Sequence, residues 1–207
     1  MDVKLSDQRS LRASNGTRVA RTREAIVASA LTLAAAGAVA PIVRDVAQMA
    51  GVSARTVFQH FSDTAELYVA VLARVVGTLV GETPELASGV PFEERVMAVV
   101  RQGAERFERL MPMWTFVETL QQRSTAAADM VMQAYTANQA SLARLFDREL
   151  AALSAESRAQ ALTALAVALA PESWVVLRRR LGLTADQARD ELRFIVDSVF
   201  RNVSPGR

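Results

Sequence analysis

Residues 43 to 67, VRDVAQMAGVSARTVFQHFSDTAEL, constrain the fold more tightly than any other stretch. Val43, Val46, Ala47 and Ala50 recur at i, i+3, i+4 and i+7, which places them on one apolar face of a short helix. Gly51 stops that helix, because glycine takes the left-handed conformation that closes a helix end, and Val52 tucks under the turn. Ser53 offers a side-chain oxygen to cap a second helix, which therefore begins at Ala54. Within it Val57 and Phe61, one turn apart, face the core and leave Arg55, Thr56, Gln59 and His60 toward solvent. Asp63 and Glu66 have the spacing of a capping box and start another helix.

Two short helices joined by a three-residue turn with glycine form a helix-turn-helix pattern, whose second helix enters the major groove through its N-terminal end. Arg55 and Gln59 are the side chains aimed at base edges. Arginine bonds guanine O6 and N7 together, and glutamine does the same to adenine N6 and N7, each pair giving ~1 to 3 kcal/mol of discrimination. The free amides that follow Ser53, beginning with Ala54, suit a phosphate. The plainer reading of the same residues is a helical hairpin whose exposed arginine is only solvated.

Residues 22 to 67 resemble the DNA-binding domain of the tetracycline-repressor (TetR) family of bacterial transcription regulators. The resemblance rests on Arg23, Ile26 and Gly37 in a first helix, V-R-D-V-A-Q-M-A-G-V-S at 43 to 53, T-V-F-Q-H-F at 56 to 61, and Leu67. It implies that Arg44 and Thr56 approach the DNA, that Phe58 and His60 lie along the backbone contact, and that Val57 and Phe61 hold the recognition helix to the core. Three positions depart from the family pattern. Phe58 stands where Tyr is usual, Ile42 where a capping Thr is common, and Thr64 where a Lys is common. Fewer phosphate contacts weaken the nonspecific component of binding, which they largely supply.

The chain has 207 residues, 51% of them hydrophobic, enough to bury a core as one or two small domains. It has no cysteine and a single histidine, His60 in the second short helix. Disulfides, thiolate zinc sites and Ser-His or Cys-His catalytic arrangements therefore lack their parts, and no cofactor is expected. Net charge is only +2, but residues 1 to 23 carry six basic groups against Asp2 and Asp7, while 71 to the end has 16 arginines and 16 acids. Positive charge is thus concentrated beside the proposed DNA reader.

Residues 1 to 17 are polar and without periodicity, which predicts a mobile basic arm. Residues 25 to 43 contain no charge and follow a basic segment, so they mimic a signal peptide or membrane span. The alanine-rich run is broken by Gly37 and Pro41, and a buried first helix ending at Gly37, with Ile26, Ala30, Leu33 and Ala34 inward, fits it better. Residues 64 to 80 are apolar on nearly every side, with Leu67, Val71 and Val75 on one face and Tyr68, Leu72 and Leu79 on another; such a helix must be covered twice. Residues 81 to 91, with two glycines and two prolines, read as a loop.

Only helical patterns follow: 92 to 110, 113 to 121, and about 125 to 151, split near Arg123 and Ser124. Ser154 caps a further helix that Pro171 interrupts or restarts. Thr184 and Gln187 box the last one, whose stripe is Ala188, Leu192, Ile195, Val196, Val199 and Phe200. The expected fold is all-α, with residues 18–66 as the DNA-binding domain and 67–207 as a ligand-binding and dimerisation domain. Methionines and aromatics gather between Phe107 and Tyr135. Methionine adapts to irregular shapes, although such stripes are often plain core. The family resemblance implies a ligand cavity among these helices, for which Phe107, Met111, Trp114, Phe116, Met130, Gln133, Tyr135 and Trp174 are the candidates, with Arg106 another polar one. It also implies that the last two long helices form a four-helix dimer interface.

The function expected is a cytoplasmic, ligand-responsive transcriptional regulator, a repressor that binds a palindromic double-stranded DNA operator as a homodimer, is released by a small, largely apolar molecule, and has no membrane partner. A helical protein that sequesters a lipophile beside a vestigial DNA reader is the alternative. A carboxylate-only enzyme is the third class considered.

Overall fold

The computed structural model describes residues 3–80, 86 and 89–203, and all regular structure among them is helical. The side chains of 3–15, 78–80 and 203, and most of the expected 81–91 loop, lie outside the described residues. The helices are α1 (Val3–Ala35), α2 (Val43–Met49), α3 (Ala54–His60), α4 (Thr64–Val80), α5 (Phe92–Leu110), α6 (Trp114–Arg123), α7 (Thr125–Leu145), α8 (Asp147–Ala151), α9 (Ala155–Ala168), α10 (Pro171–Val175) and α11 (Ala185–Val203). A wider-pitched turn over Val176–Arg180 extends α10.

The chain divides into two compact units. The first comprises Met1–Arg74 and Pro112–Ala127; the second comprises Val75–Met111 and Ala128–Arg207. In the first, α1, α2 and α3 pack on one another over Ile26, Ala30, Val46, Val57 and Phe61, all buried. Gly37 and Gly51 close α1 and α2 in the same way. With φ of +97° and +67°, each lets the next amide reach back five residues, Ala38 to the Leu33 carbonyl (3.1 Å) and Val52 to the Ala47 carbonyl (2.9 Å). This double-bonded helix end satisfies carbonyls that would otherwise lack partners.

One expectation is corrected here. Residues 3–17, read as a structureless arm, continue α1 back to Val3. The stretch holds no proline, and extending an existing helix avoids the unfavourable nucleation step, so weak local propensity suffices.

In the second unit α11 packs on α5 and α9 around Val99, Phe107, Leu165, Trp174 and Leu192. The last helix is boxed as expected: Gln187 donates its amide to Thr184 Oγ1 (3.2 Å), and the Thr184 amide donates to Gln187 Oε1 (2.9 Å). Ser154 caps α9 by accepting from the Ser157 amide (3.1 Å), and Pro171 is the first residue of α10. Ile195, placed in the inward stripe by its spacing, is exposed, as is its neighbour Phe194. Arg95 is buried and forks onto Glu149, with Nη1 2.9 Å from Oε2 and Nη2 2.5 Å from Oε1. Its Nη1 also donates to the Leu145 carbonyl (2.5 Å) and its Nε to the Val90 carbonyl (3.2 Å).

Candidate nucleic-acid interface

Ser53 has the extended backbone of a cap residue (φ −80°, ψ 155°). Its Oγ accepts from the Thr56 amide at 3.0 Å and shares a hydrogen with Thr56 Oγ1 at 2.9 Å. The Thr56 hydroxyl, expected to approach DNA, thus also belongs to the cap. Val57 and Phe61 are buried, and Ser53, Ala54, Arg55, Phe58 and Gln59 are exposed. Thr56 and His60 are half-buried. Arg44, on α2, keeps 83% of its side chain exposed, with Nε 3.4 Å from the Asp45 carboxylate. The eight residues expected to face DNA therefore all lie on or beside two short helices of one unit, and six of them are exposed. Phe58 is 51% exposed and Ile42 62%; Ile42 gives α2 no side-chain cap. These two apolar groups occupy positions where the family pattern has hydroxyls.

Behind this surface the joints are polar. Glu66 Oε2 accepts from the Ser62 amide (2.7 Å) and Asp63 Oδ1 from the Glu66 amide (2.8 Å). The box expected at the start of α4 thus closes one residue earlier than its spacing suggests. The Ser62 hydrogen bonds hold the Glu66 carboxyl below its ordinary value, with help from the Arg23 charge. Tyr68 on α4 donates its hydroxyl to the Pro41 carbonyl at 2.7 Å, and its ring meets Phe116 edge-on at 5.7 Å. Burial pushes the Tyr68 phenol up. Arg74 pairs with Glu24 of α1. No spacing in the sequence links Tyr68 to Pro41, 27 residues away.

The residues expected to line a ligand cavity are divided between the units. Trp114 and Phe116 are buried residues of α6, in the first unit. In the second, Phe107 and Trp174 are buried core residues with ring centroids 6.3 Å apart. Met111 and Met130 are half-buried and Gln133 is exposed. Tyr135 donates its hydroxyl to Glu172. Burial, reinforced by that carboxylate, pushes the Tyr135 phenol up. Sequence reasoning missed Glu108, whose Oε1 accepts from Trp174 Nε1 (2.9 Å) and Arg178 Nε (2.6 Å). The Arg178 bond, foremost, holds its carboxyl down. Arg178 and Arg179 reach Glu108 and the Met111 carbonyl. Among the described residues no group of three His, Cys, Asp or Glu side chains is placed to hold a metal. No single helix among them is long and apolar enough to cross a membrane.

The arrangement defines a helix-turn-helix protein with a polar, basic reading helix. Residues 26–71 match the model of bacterial regulatory proteins of the tetR family. The structure is similar to a transcriptional regulator from Rhodococcus sp. Rha1, with TM-score 0.72 and 17% identity over 89% of this chain and 99% of that one. It is also similar to a tetR-family transcriptional regulator from Streptomyces coelicolor (TM-score 0.69, 16% identity, 86% and 81% covered). A third likeness is to MexZ of Pseudomonas aeruginosa, described as a key repressor responsible for antibiotic resistance (TM-score 0.54, 21% identity, 86% and 94% covered). No curated protein sequence matches the chain. Residues 26–71 thus match a tetR-type regulatory domain, and the chain shares its fold with solved transcriptional regulators.

Proposed function

We propose that the protein is a repressor that occupies a palindromic operator as a homodimer and leaves it when a small, largely apolar molecule binds. The observation that carries the reading is the solvent-facing pair Arg55 and Gln59, one turn apart on a helix capped by Ser53. In a symmetric dimer the two reading helices would sit about 34 to 36 Å apart, one turn of B-DNA. Exposed Phe194 and Ile195 on α11, with Val176 and Leu181 after α10, supply apolar surface for a second copy. The ligand is expected to engage Phe107, Met111, Met130, Gln133, Tyr135 and Trp174 of the second unit. A ligand that favours a second arrangement of α4 would change the spacing of the reading helices. A coupling of ~1 to 3 kcal/mol weakens operator binding roughly 5 to 150-fold.

The competing reading, sequestration of a lipophile beside a vestigial reader, draws on Ile42, Phe58 and Thr64, which remove phosphate contacts. A titration of the protein against its own upstream DNA separates the two. Saturable, sequence-dependent binding is expected, and Arg55→Ala should cost ~1 to 3 kcal/mol and relax specificity at one base pair. Binding that ignores sequence would leave only sequestration.

A further inference from the structure

α3 has only seven residues, well below the roughly 12 to 15 at which an isolated helix becomes even marginally stable. Its direction therefore depends on what holds its ends. Ser53 holds the amide end. At the other end Phe61 turns extended (φ −136°, ψ 129°), so the His60 carbonyl has no partner in the helix and needs a donor from elsewhere.

That donor is Arg23 on α1. Its Nη1 lies 2.8 Å from the His60 carbonyl oxygen, its Cζ lies 4.0 Å from the centroid of the buried Phe61 ring, and its Nη2 lies 3.7 Å from Glu66 Oε1. Glu66 is itself tied to the Ser62 amide in the first turn of α4. A single guanidinium thus joins α1, the carbonyl end of α3 and the amide end of α4. A planar group with several divergent N–H donors and a face for stacking can do all three at once; an ammonium cannot.

We infer that Arg23 is the positioning residue of the DNA reader: it fixes the angle at which α3 presents Arg55 and Gln59 to base edges. The inference rests on the DNA-reading function proposed above. Contacts to bases demand placement within about 0.5 Å, whereas attraction to phosphates does not. Loss of Arg23 should therefore reduce discrimination and leave general DNA affinity nearly intact. A direct Arg23–phosphate contact would behave otherwise, weakening all duplexes alike and lowering the slope of log K against log salt by ~0.9.

The test uses the full-length protein and a duplex selected by the wild type from a random pool, with a scrambled duplex as control. Binding is measured over a salt series for wild type, Arg23→Gln, Arg23→Lys and Glu66→Gln, with thermal melting alongside. The expected result is a fall of about tenfold in the selected-to-scrambled ratio for Arg23→Gln, the discrimination of one well-made bidentate contact. The salt slope on scrambled DNA should not change. Arg23→Lys should not restore the ratio, and Glu66→Gln, which keeps the guanidinium and the fold, should lower it about two- to threefold. An unchanged ratio in both Arg23→Lys and Glu66→Gln would overturn the inference, as would recovery by lysine together with a reduced slope for glutamine. If the wild type selects no sequence, the DNA-reading proposal falls and takes this one with it; if it does and the variants match it, only the role of Arg23 falls.

Discussion

Removing the Glu149 carboxylate should be the most damaging single polar change in the second unit. Arg95 is 8% exposed and its fork onto Glu149 uses both carboxylate oxygens. Glu149→Ala leaves a buried guanidinium with two carbonyls, those of Leu145 and Val90, and no counter-charge. Breaking one side of a buried pair costs about 3 to 5 kcal/mol. The two surviving hydrogen bonds and the partial exposure of Glu149, 24% of its side chain, place the change near 3 kcal/mol. For a chain of this size that corresponds to a fall in Tm of roughly 6 to 12 °C, read by circular dichroism. The pair Arg95→Met with Glu149→Leu should recover most of this, since a buried ion pair replaced by apolar groups of similar volume is often neutral or better. A loss under about 1 kcal/mol for Glu149→Ala, or a double variant worse than the single, would refute the reasoning.

Gly51→Ala meets no steric neighbour, so its cost is the left-handed backbone alone, about 1 to 2 kcal/mol; chemical denaturation of the variant measures it, and a neutral result would show that α2 ends some other way. Glu108 is held below its ordinary value of 4.5, chiefly by Arg178. Its contribution to stability is therefore complete above pH 4.5 and disappears as pH falls through the lowered value. Glu108→Gln should flatten the acid side of the stability profile, and an unaltered profile would remove Glu108 from the account.

The reading unit was legible because its signals are local. Gly51, Ser53 and Asp63 act within four residues of themselves, and the spacing of Val57 and Phe61 fixed which side chains remain outside. Helix ends at Gly37, Ser154, Pro171 and Thr184 were readable for the same reason. What sequence could not supply was pairing at a distance: Arg95 with Glu149, Trp174 and Arg178 with Glu108, Tyr68 with Pro41. Periodicity says that a face is covered, not by what. So Trp114 and Phe116 were grouped with Phe107 and Trp174 on composition, while the fold assigns them to a different compact unit. Ile195 fell into an apolar stripe by spacing, yet it is exposed, as is its neighbour Phe194. The first four turns of α1 were missed because their residues favour helix only weakly, and the turns that follow carry them.

The membership of Pro112–Ala127 in the first unit has a practical result for anyone dissecting the molecule. No single cut excises the DNA reader. A fragment ending at Arg74 would lack Phe116, and the Tyr68 ring, anchored through its hydroxyl to the segment entering α2, would lose its aromatic neighbour to water. Swapping this reader onto another regulator would therefore require transplanting two separated pieces of sequence, and a chimera joined within α4 would inherit a foreign side chain at the position Phe116 now fills.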